Sequence, residues 1–201
     1  MLRLSYTLLA PIYDMIVASP TEACRKTSLQ NLLNYNQRKV LINGIGSGLD
    51  IPFLPEGPIY IGNDLTPAML RRARKLADKY QTSITLQQAD VMQLPYADSS
   101  FDAVVLHLIL AVVSDPARAL QETSRVLKPG GRIFILDKFI AQNKRGYVRR
   151  AINPVLRHIA TRTDVVFETL LMQCKDLQLI NNNAAMFGGW FRMIQLEKRA
   201  T

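Results

Sequence analysis

Gly44, Gly46 and Gly48 fall at alternate positions in "VLINGIGSGLD", directly after the strand-like run Val40–Asn43. Glycines spaced this way make a turn whose missing side chains let backbone approach a ligand. Three nucleotide-binding turns compete for the pattern. A phosphate-cradling loop ends in Gly-Lys-Ser/Thr, but here Leu49 and Asp50 follow Gly48, so the lysine and the magnesium-binding hydroxyl are lacking. A dinucleotide fingerprint needs Gly or Ala at position 49, which is Leu49, although Gly44 and Gly46 fit. The remaining Gly-x-Gly-x-Gly turn suits a nucleoside joined to an amino-acid moiety better than a pyrophosphate.

Two carboxylates extend the pattern. Asp64, in "IYIGNDLTPAML", stands just beyond the second apolar run, where an acidic group accepts both ribose hydroxyls and excludes a 2′-phosphate. Asp90, in "LQQADVMQLP", follows the third run and is placed to accept from an exocyclic adenine amino group. Either Asp alone reads equally well as a helix cap or a solvated loop residue. With the glycines they put three loops around one adenosine.

The elements that must position these loops are short β-type runs alternating with helical patterns, which predicts a parallel sheet with helices on both faces. The runs are Lys39–Asn43, Ile59–Gly62, Ser83–Gln87, Phe101–Leu108 and Gly131–Asp137, followed by two expected edge strands, Gln178–Ile180 and Trp190–Leu196. Thr66 and Pro67 are expected to open a helix in which Met69, Ala73, Leu76 and Tyr80 share one face. Asp115-Pro116 opens another, which closes at Lys128-Pro129-Gly130-Gly131. A further helix is predicted around Phe167–Leu177.

At these residues the chain resembles the class I S-adenosylmethionine-dependent methyltransferases. The resemblance covers roughly Val40 to Lys138: the glycine turn, "GNDLTPAML", "ADVMQLPYADSSFDAVV" and "ALQETSRVLKPGGRIFIL" come in the family's order. It is most similar to the group holding ubiquinone/menaquinone methyltransferases and bacterial phosphatidylethanolamine N-methyltransferases. "HLILAVVSDPARAL" and "FGGWFRMIQLEK" resemble the phospholipid enzymes in particular. The resemblance implies a Rossmann-like, doubly wound, mostly parallel seven-stranded sheet with an N-terminal helical cap. It implies S-adenosyl-L-methionine as cofactor and S-adenosyl-L-homocysteine as product. Carried over, the contacts are Asn43, Gly44, Ile45, Gly46, Gly48, Asp64, Leu65, Asp90, Val91, Met92 and His107. One departure stands out, because the family's first strand usually ends in Asp or Glu and this one ends in Asn43, which removes a negative charge.

Methyl transfer from a sulfonium needs little acid–base machinery, since the methyl is already activated and positioning supplies most of the catalysis. An amine acceptor must be deprotonated. His107, at the end of the fourth run, is the candidate general base or substrate orienter, its alternative being a satisfied histidine in the sheet. Tyr6, Tyr13 and Asp14 are candidates to fold over the cofactor, and a tyrosine offers a cationic amine both an aromatic wall and a hydroxyl. The alternative for this segment is a helix packed on the sheet edge.

The charge of +9 is uneven: Lys138, Lys144, Arg145, Arg149, Arg150, Arg157 and Arg162 fall in one stretch without an Asp or Glu. Val148, Ile152, Val155 and Ile159 add an apolar stripe at helical spacing, divided by Pro154. An anionic membrane surface touched by Lys144, Arg145, Arg149, Arg150 and Arg157 is one expectation, and a solvated cap over the substrate side is the other. The expected activity is therefore N-methylation of a phospholipid head group at a membrane surface. Alternatives are C- or O-methylation of a quinone or other small lipophile, and binding of adenosylmethionine without catalysis. Nucleic-acid methylation ranks below a quinone, because Leu106–Leu110, "LHLIL", lacks the Asn/Asp-Pro-Pro-Tyr/Phe of enzymes that methylate a flipped base.

With 201 residues, 48% of them hydrophobic and 20% charged, one globular domain is expected, with a helical cap over 1–36 and a basic insertion over 139–165. The longest apolar stretch, Ala103 to Val113, is about half the roughly 20 residues of a membrane span. The first twenty residues resemble a signal peptide until Pro11 and Asp14 interrupt the apolar run, so an uncleaved amphipathic segment is expected. Cys24 and Cys174 lie far apart with no ligand cluster, which supports neither a disulfide framework nor a metal site and fits a reducing cytoplasm. No obligate protein partner is expected.

Overall fold

Val40, Leu41 and Ile42 are buried on alternate faces of the first strand, as the two-residue period of a strand requires. The computed structural model of the protein describes residues 20–140 and 165–200. Its strands are β1 (Lys39–Asn43), β2 (Ile59–Asp64), β3 (Ile84–Gln88), β4 (Phe101–His107), β5 (Leu127–Lys138), β6 (Leu177–Met186) and β7 (Phe191–Lys198). They form one seven-stranded sheet in the order β3-β2-β1-β4-β5-β7-β6. The first five strands are parallel and β7 runs antiparallel to both β5 and β6. The expected Rossmann-like sheet is thus observed. After β1 the chain winds outward through β2 and β3, then returns to β1's other edge as β4, and this reversal opens a crevice at the carboxyl ends of the strands.

The helices are α1 (20–30), α2 (Pro67–Tyr80), α3 (Pro116–Val126) and α4 (Phe167–Met172). Leu29, Leu32 and Ala77 meet Val40, Ile42 and Val105 on one side of the sheet. On the other, Leu120 and Phe167 meet Leu41, Leu106, Ile135 and Leu196. Each such aliphatic side chain, fully buried, stabilises the fold by about 1.5–3 kcal/mol.

Several expectations are corrected. Of the two strands expected at an edge, only β6 lies there; β7 is inserted between β5 and β6, with Ile194 and Leu196 buried. β6 extends well past Gln178–Ile180 because β7 pairs with it through the polar run Asn181–Asn183, with register shifts on either side. The last helix stops at Met172. On α2 the buried residues are Ala73 and Ala77, whereas Tyr80 is exposed beneath Lys79. Thr66 occupies the N-cap position of α2 without capping it, its hydroxyl being engaged by Asp64. Asp115 caps α3 as expected, accepting the Arg118 N–H at 2.9 Å.

The cap expected over 1–36 is described only from residue 20 onward, and Tyr6, Tyr13 and Asp14 lie outside the described residues. So do Lys144, Arg145, Arg149, Arg150 and Arg157. Among the described residues no helix is long and apolar enough to cross a membrane.

Candidate functional site

The glycine turn leaves β1 held by its neighbour. Gly44 and Ile45 both donate to the carbonyl of Asn63 on β2, at 3.0 and 2.8 Å, and Gly48 closes the turn onto the carbonyl of Ile45 at 3.1 Å. Gly48 has φ +91°, and a Cβ there would stand 2.9 Å from the Cα of Ala73, so α2 packs directly on this backbone. Gly46 has φ +57°, and a Cβ there would meet nothing within 4 Å. One corner of the turn is therefore pressed against a helix and the other faces open space.

Asp64, at the end of β2, lines that opening. Its Oδ2 accepts the Gly46 N–H at 3.1 Å and its Oδ1 accepts the Thr66 N–H at 2.8 Å. With the Thr66 hydroxyl engaged as well, the carboxylate keeps one lone-pair site for a further hydroxyl donor. Burial pushes this carboxyl up, and the N–H groups of Thr66 and Gly46 oppose the rise. Leu65, 40% exposed, stands beside it. Ala89 donates to the Asp64 carbonyl at 3.1 Å, which brings Asp90 to the same end of the sheet. The Asp90 carboxylate accepts the Met92 N–H at 2.9 Å. Val91 turns into the core and Met92 is half-buried. Arg125 on α3 fixes the following loop by donating to the carbonyls of Leu94 and Tyr96, while Glu122 accepts the Leu94 N–H. The open side of Gly46, with carboxylates at the ends of two adjacent strands, fits a nucleoside with free ribose hydroxyls.

Asn43 and Ile45 serve the turn from beneath. Ile45 is buried against the α2 side of the sheet. The Asn43 side chain points to the other side, where its Nδ2 donates to Thr123 Oγ1 at 3.1 Å, and its Oδ1 is buried without a hydrogen-bond partner. A neutral amide suits that place better than a carboxylate, whose burial without a counter-charge would cost more.

His107, at the end of β4, has both ring nitrogens engaged: Nδ1 lies 2.9 Å from Asp50 Oδ1, and Nε2 lies 2.9 Å from Ser28 Oγ. Arg25 joins Asp50 at 3.0 Å. Burial would raise the Asp50 carboxyl, but His107 and Arg25 outweigh it and hold the group down at about 2. Asp137, at the end of β5, is fully buried and accepts the N–H groups of Ala111 and Lys138 at 3.1 and 2.8 Å. Burial pushes that carboxyl up to about 6 against those donors. Arg25, Ser28, Asp50 and Asp137 were not singled out by their spacing, because each acquires its partner only through the fold. Among the described residues no cluster of His, Cys, Asp or Glu could hold a metal ion.

Residues 41–135 match the family described as the methyltransferase domain. Over 192 residues the chain is 27% identical to a phosphatidylethanolamine N-methyltransferase of Cereibacter sphaeroides, an alignment covering 94% of this chain and 93% of that protein. Over 139 residues it is 32% identical to a demethylmenaquinone methyltransferase of Deinococcus radiodurans, covering 66% of this chain and 58% of that protein. The crystal structure of the YcgJ protein from Bacillus subtilis shares the fold at a TM-score of 0.69 and 19% identity, over 87% of this chain and 99% of that one. The glycine turn, Asp64 and Asp90 all lie within the stretch that matches the methyltransferase domain, and that match implies S-adenosylmethionine as the cofactor.

Proposed function

We propose that the protein N-methylates a phospholipid head group of the phosphatidylethanolamine type. One observation carries this reading: similarity to the phosphatidylethanolamine enzyme runs through 94% of the chain, well beyond the domain at 41–135, whereas similarity to the demethylmenaquinone enzyme stops at 66%. The stretches on either side of 41–135, where we propose that substrate is held, therefore also align with the first relative.

Bound S-adenosylmethionine supplies a methyl group on a sulfonium, ready for in-line transfer to a neutral nucleophile. The chain's part is to hold and orient. In this reading Asp64 takes the ribose hydroxyls and Asp90 the adenine amino group, supported by their braced carboxylates at the ends of neighbouring strands, and the open side of Gly46 takes the close approach of the ligand. His107, with both nitrogens engaged, is better suited to orienting its surroundings than to taking the amine's proton. Tyr6 and Tyr13 are proposed as the aromatic wall for the amine, and Lys144, Arg145, Arg149, Arg150 and Arg157 as contacts to anionic lipid.

Methylation of a quinone is the second reading, favoured by the 32% identity to the demethylmenaquinone enzyme. Expression in a host lacking both methylations, followed by mass spectrometry of lipid and quinone extracts, separates the two. Methylated phosphatidylethanolamine is the expected product. A methylated quinone with unchanged phospholipids would overturn the proposal.

A further inference from the structure

Arg25, Ser28, Asp50 and His107 come from α1, the exit of the glycine turn and the end of β4, and they close into one buried polar ring. Asp50 Oδ1 accepts from Arg25 Nη1 at 3.0 Å and lies 2.9 Å from His107 Nδ1. His107 Nε2 lies 2.9 Å from Ser28 Oγ, and Ser28 returns to Arg25 one helical turn away. Thr21 Oγ1 accepts from Arg25 Nε at 2.9 Å and extends the ring along α1. None of these five residues is more than 7% exposed.

Apolar contact alone would dock α1 and the short helical turn Asn31–Asn34 after it, since Leu29 and Leu32 are fully buried against the sheet. The ring adds direction. Asp50 lies two residues past Gly48 and precedes the short helical turn Ile51–Phe53, so its carboxylate fixes where the glycine turn leaves the crevice. His107 precedes Leu108, whose φ of +57° turns the chain sharply away from β4. A single carboxylate oxygen thus joins the helix, the turn and the strand end that border one crevice. In a dry site a half-satisfied network of this kind is worse than none, so its members dock together or not at all.

We propose that Asp50 is a positioning residue for the cofactor, coupling the docking of α1 through Arg25, Ser28 and His107 to the arrangement of the glycine turn. This rests on the crevice binding S-adenosylmethionine. A ligand that needs the ordered turn then favours the docked helix, and by reciprocity the docked helix favours the ligand.

The test is amide hydrogen exchange with and without S-adenosylhomocysteine, together with calorimetry of its binding. In the wild type, ligand should slow exchange in residues 21–29. Asp50→Asn should abolish that protection and weaken ligand binding by between about 5- and 150-fold, the usual range of coupling between sites. Exchange in β4 and β5 should stay slow, showing that the sheet persists. Since Asp50→Asn leaves the Arg25 charge buried without its partner, the double variant Arg25→Met/Asp50→Asn removes both charges and keeps the test open if the single variant unfolds. Ser28→Ala, which frees only one nitrogen of His107, should reduce the protection by less. Wild-type protection and affinity retained in the double variant would overturn the coupling and leave the ring as packing. Ligand that binds the wild type without protecting α1 would overturn it too. No binding to the wild type would instead sink the cofactor reading on which the coupling rests.

Discussion

Asp64 accepts the backbone N–H of Gly46 at 3.1 Å, so the carboxylate ending β2 and the open corner of the glycine turn hold each other in place. Asp64→Ala removes the proposed ribose acceptor and this brace together. Affinity for S-adenosylhomocysteine should fall by about 1.5–3 kcal/mol, the worth of hydrogen bonds to a charged group. Calorimetry on wild type and variant decides it, and equal affinities would remove Asp64 from the ribose site.

Alanine at Gly46 and at Gly48 should fail in opposite ways. At Gly48 the new Cβ would stand 2.9 Å from the Ala73 backbone at a φ of +91°, so unfolding free energy should drop by about 1–3 kcal/mol. At Gly46 the Cβ has room, and the left-handed backbone costs only about 1 kcal/mol, but the methyl would occupy the ligand's approach. Denaturant melts and calorimetry on both variants should therefore show Gly48→Ala unstable and Gly46→Ala folded but weak in cofactor binding. Full cofactor affinity in Gly46→Ala would mean that the ligand does not pass that corner.

Asp137 should make stability depend on pH in the direction opposite to a salt-bridged carboxylate. Its folded value of about 6 lies above the ordinary 3.8, so the folded chain holds the proton more tightly than the unfolded one. Its destabilising effect is absent below about pH 4, grows as pH rises toward 6 and is complete above it, reaching about 3 kcal/mol at ~1.4 kcal/mol per pH unit. In Asp137→Asn, which also loses one acceptor for Ala111 or Lys138, that slope should flatten whatever the constant offset. An unchanged slope between pH 4 and 6 in urea melts would show that Asp137 is not the group responsible.

Vesicle sedimentation tests the basic stretch. Binding to phosphatidylglycerol vesicles should be strong at low salt and fade as ionic strength shortens the screening length, while neutral vesicles retain little. Arg145→Gln, Arg149→Gln and Arg150→Gln together should weaken it by up to about 3 kcal/mol and leave cofactor affinity alone, since all three lie outside 41–135. Equal binding of wild type and triple variant would sink the membrane contact.

Most of the parallel half of the fold was legible because β1, β2, β4 and the second half of β5 are dense apolar runs, ended in β1 and β2 by the polar residues Asn43 and Asp64. β6 was seen only in part, since Asn181–Asn183 has poor strand propensity and is held by its pairing with β7. Gly46 and Asp64, 18 residues apart, close two successive apolar runs and so belong to a pattern that the sequence displays. Asp50 and His107, 57 residues apart, form a contact that no periodicity announces, and Asp50 in sequence is indistinguishable from a solvated loop acid.

The insertion of β7 also bears on how the chain is made. β5 meets β7 over seven registered pairs, from Arg132 with Glu197 to Lys138 with Phe191, so its outer edge is closed by residues more than fifty positions later. During synthesis from the N-terminus, β1 to β5 can assemble into a parallel sheet while that edge stays unpaired, and β6 has nothing to join until β7 arrives. The nascent chain therefore passes through a stage in which a long central strand is an open template for pairing with a neighbour, and it leaves that stage only when β7 slots between β5 and β6.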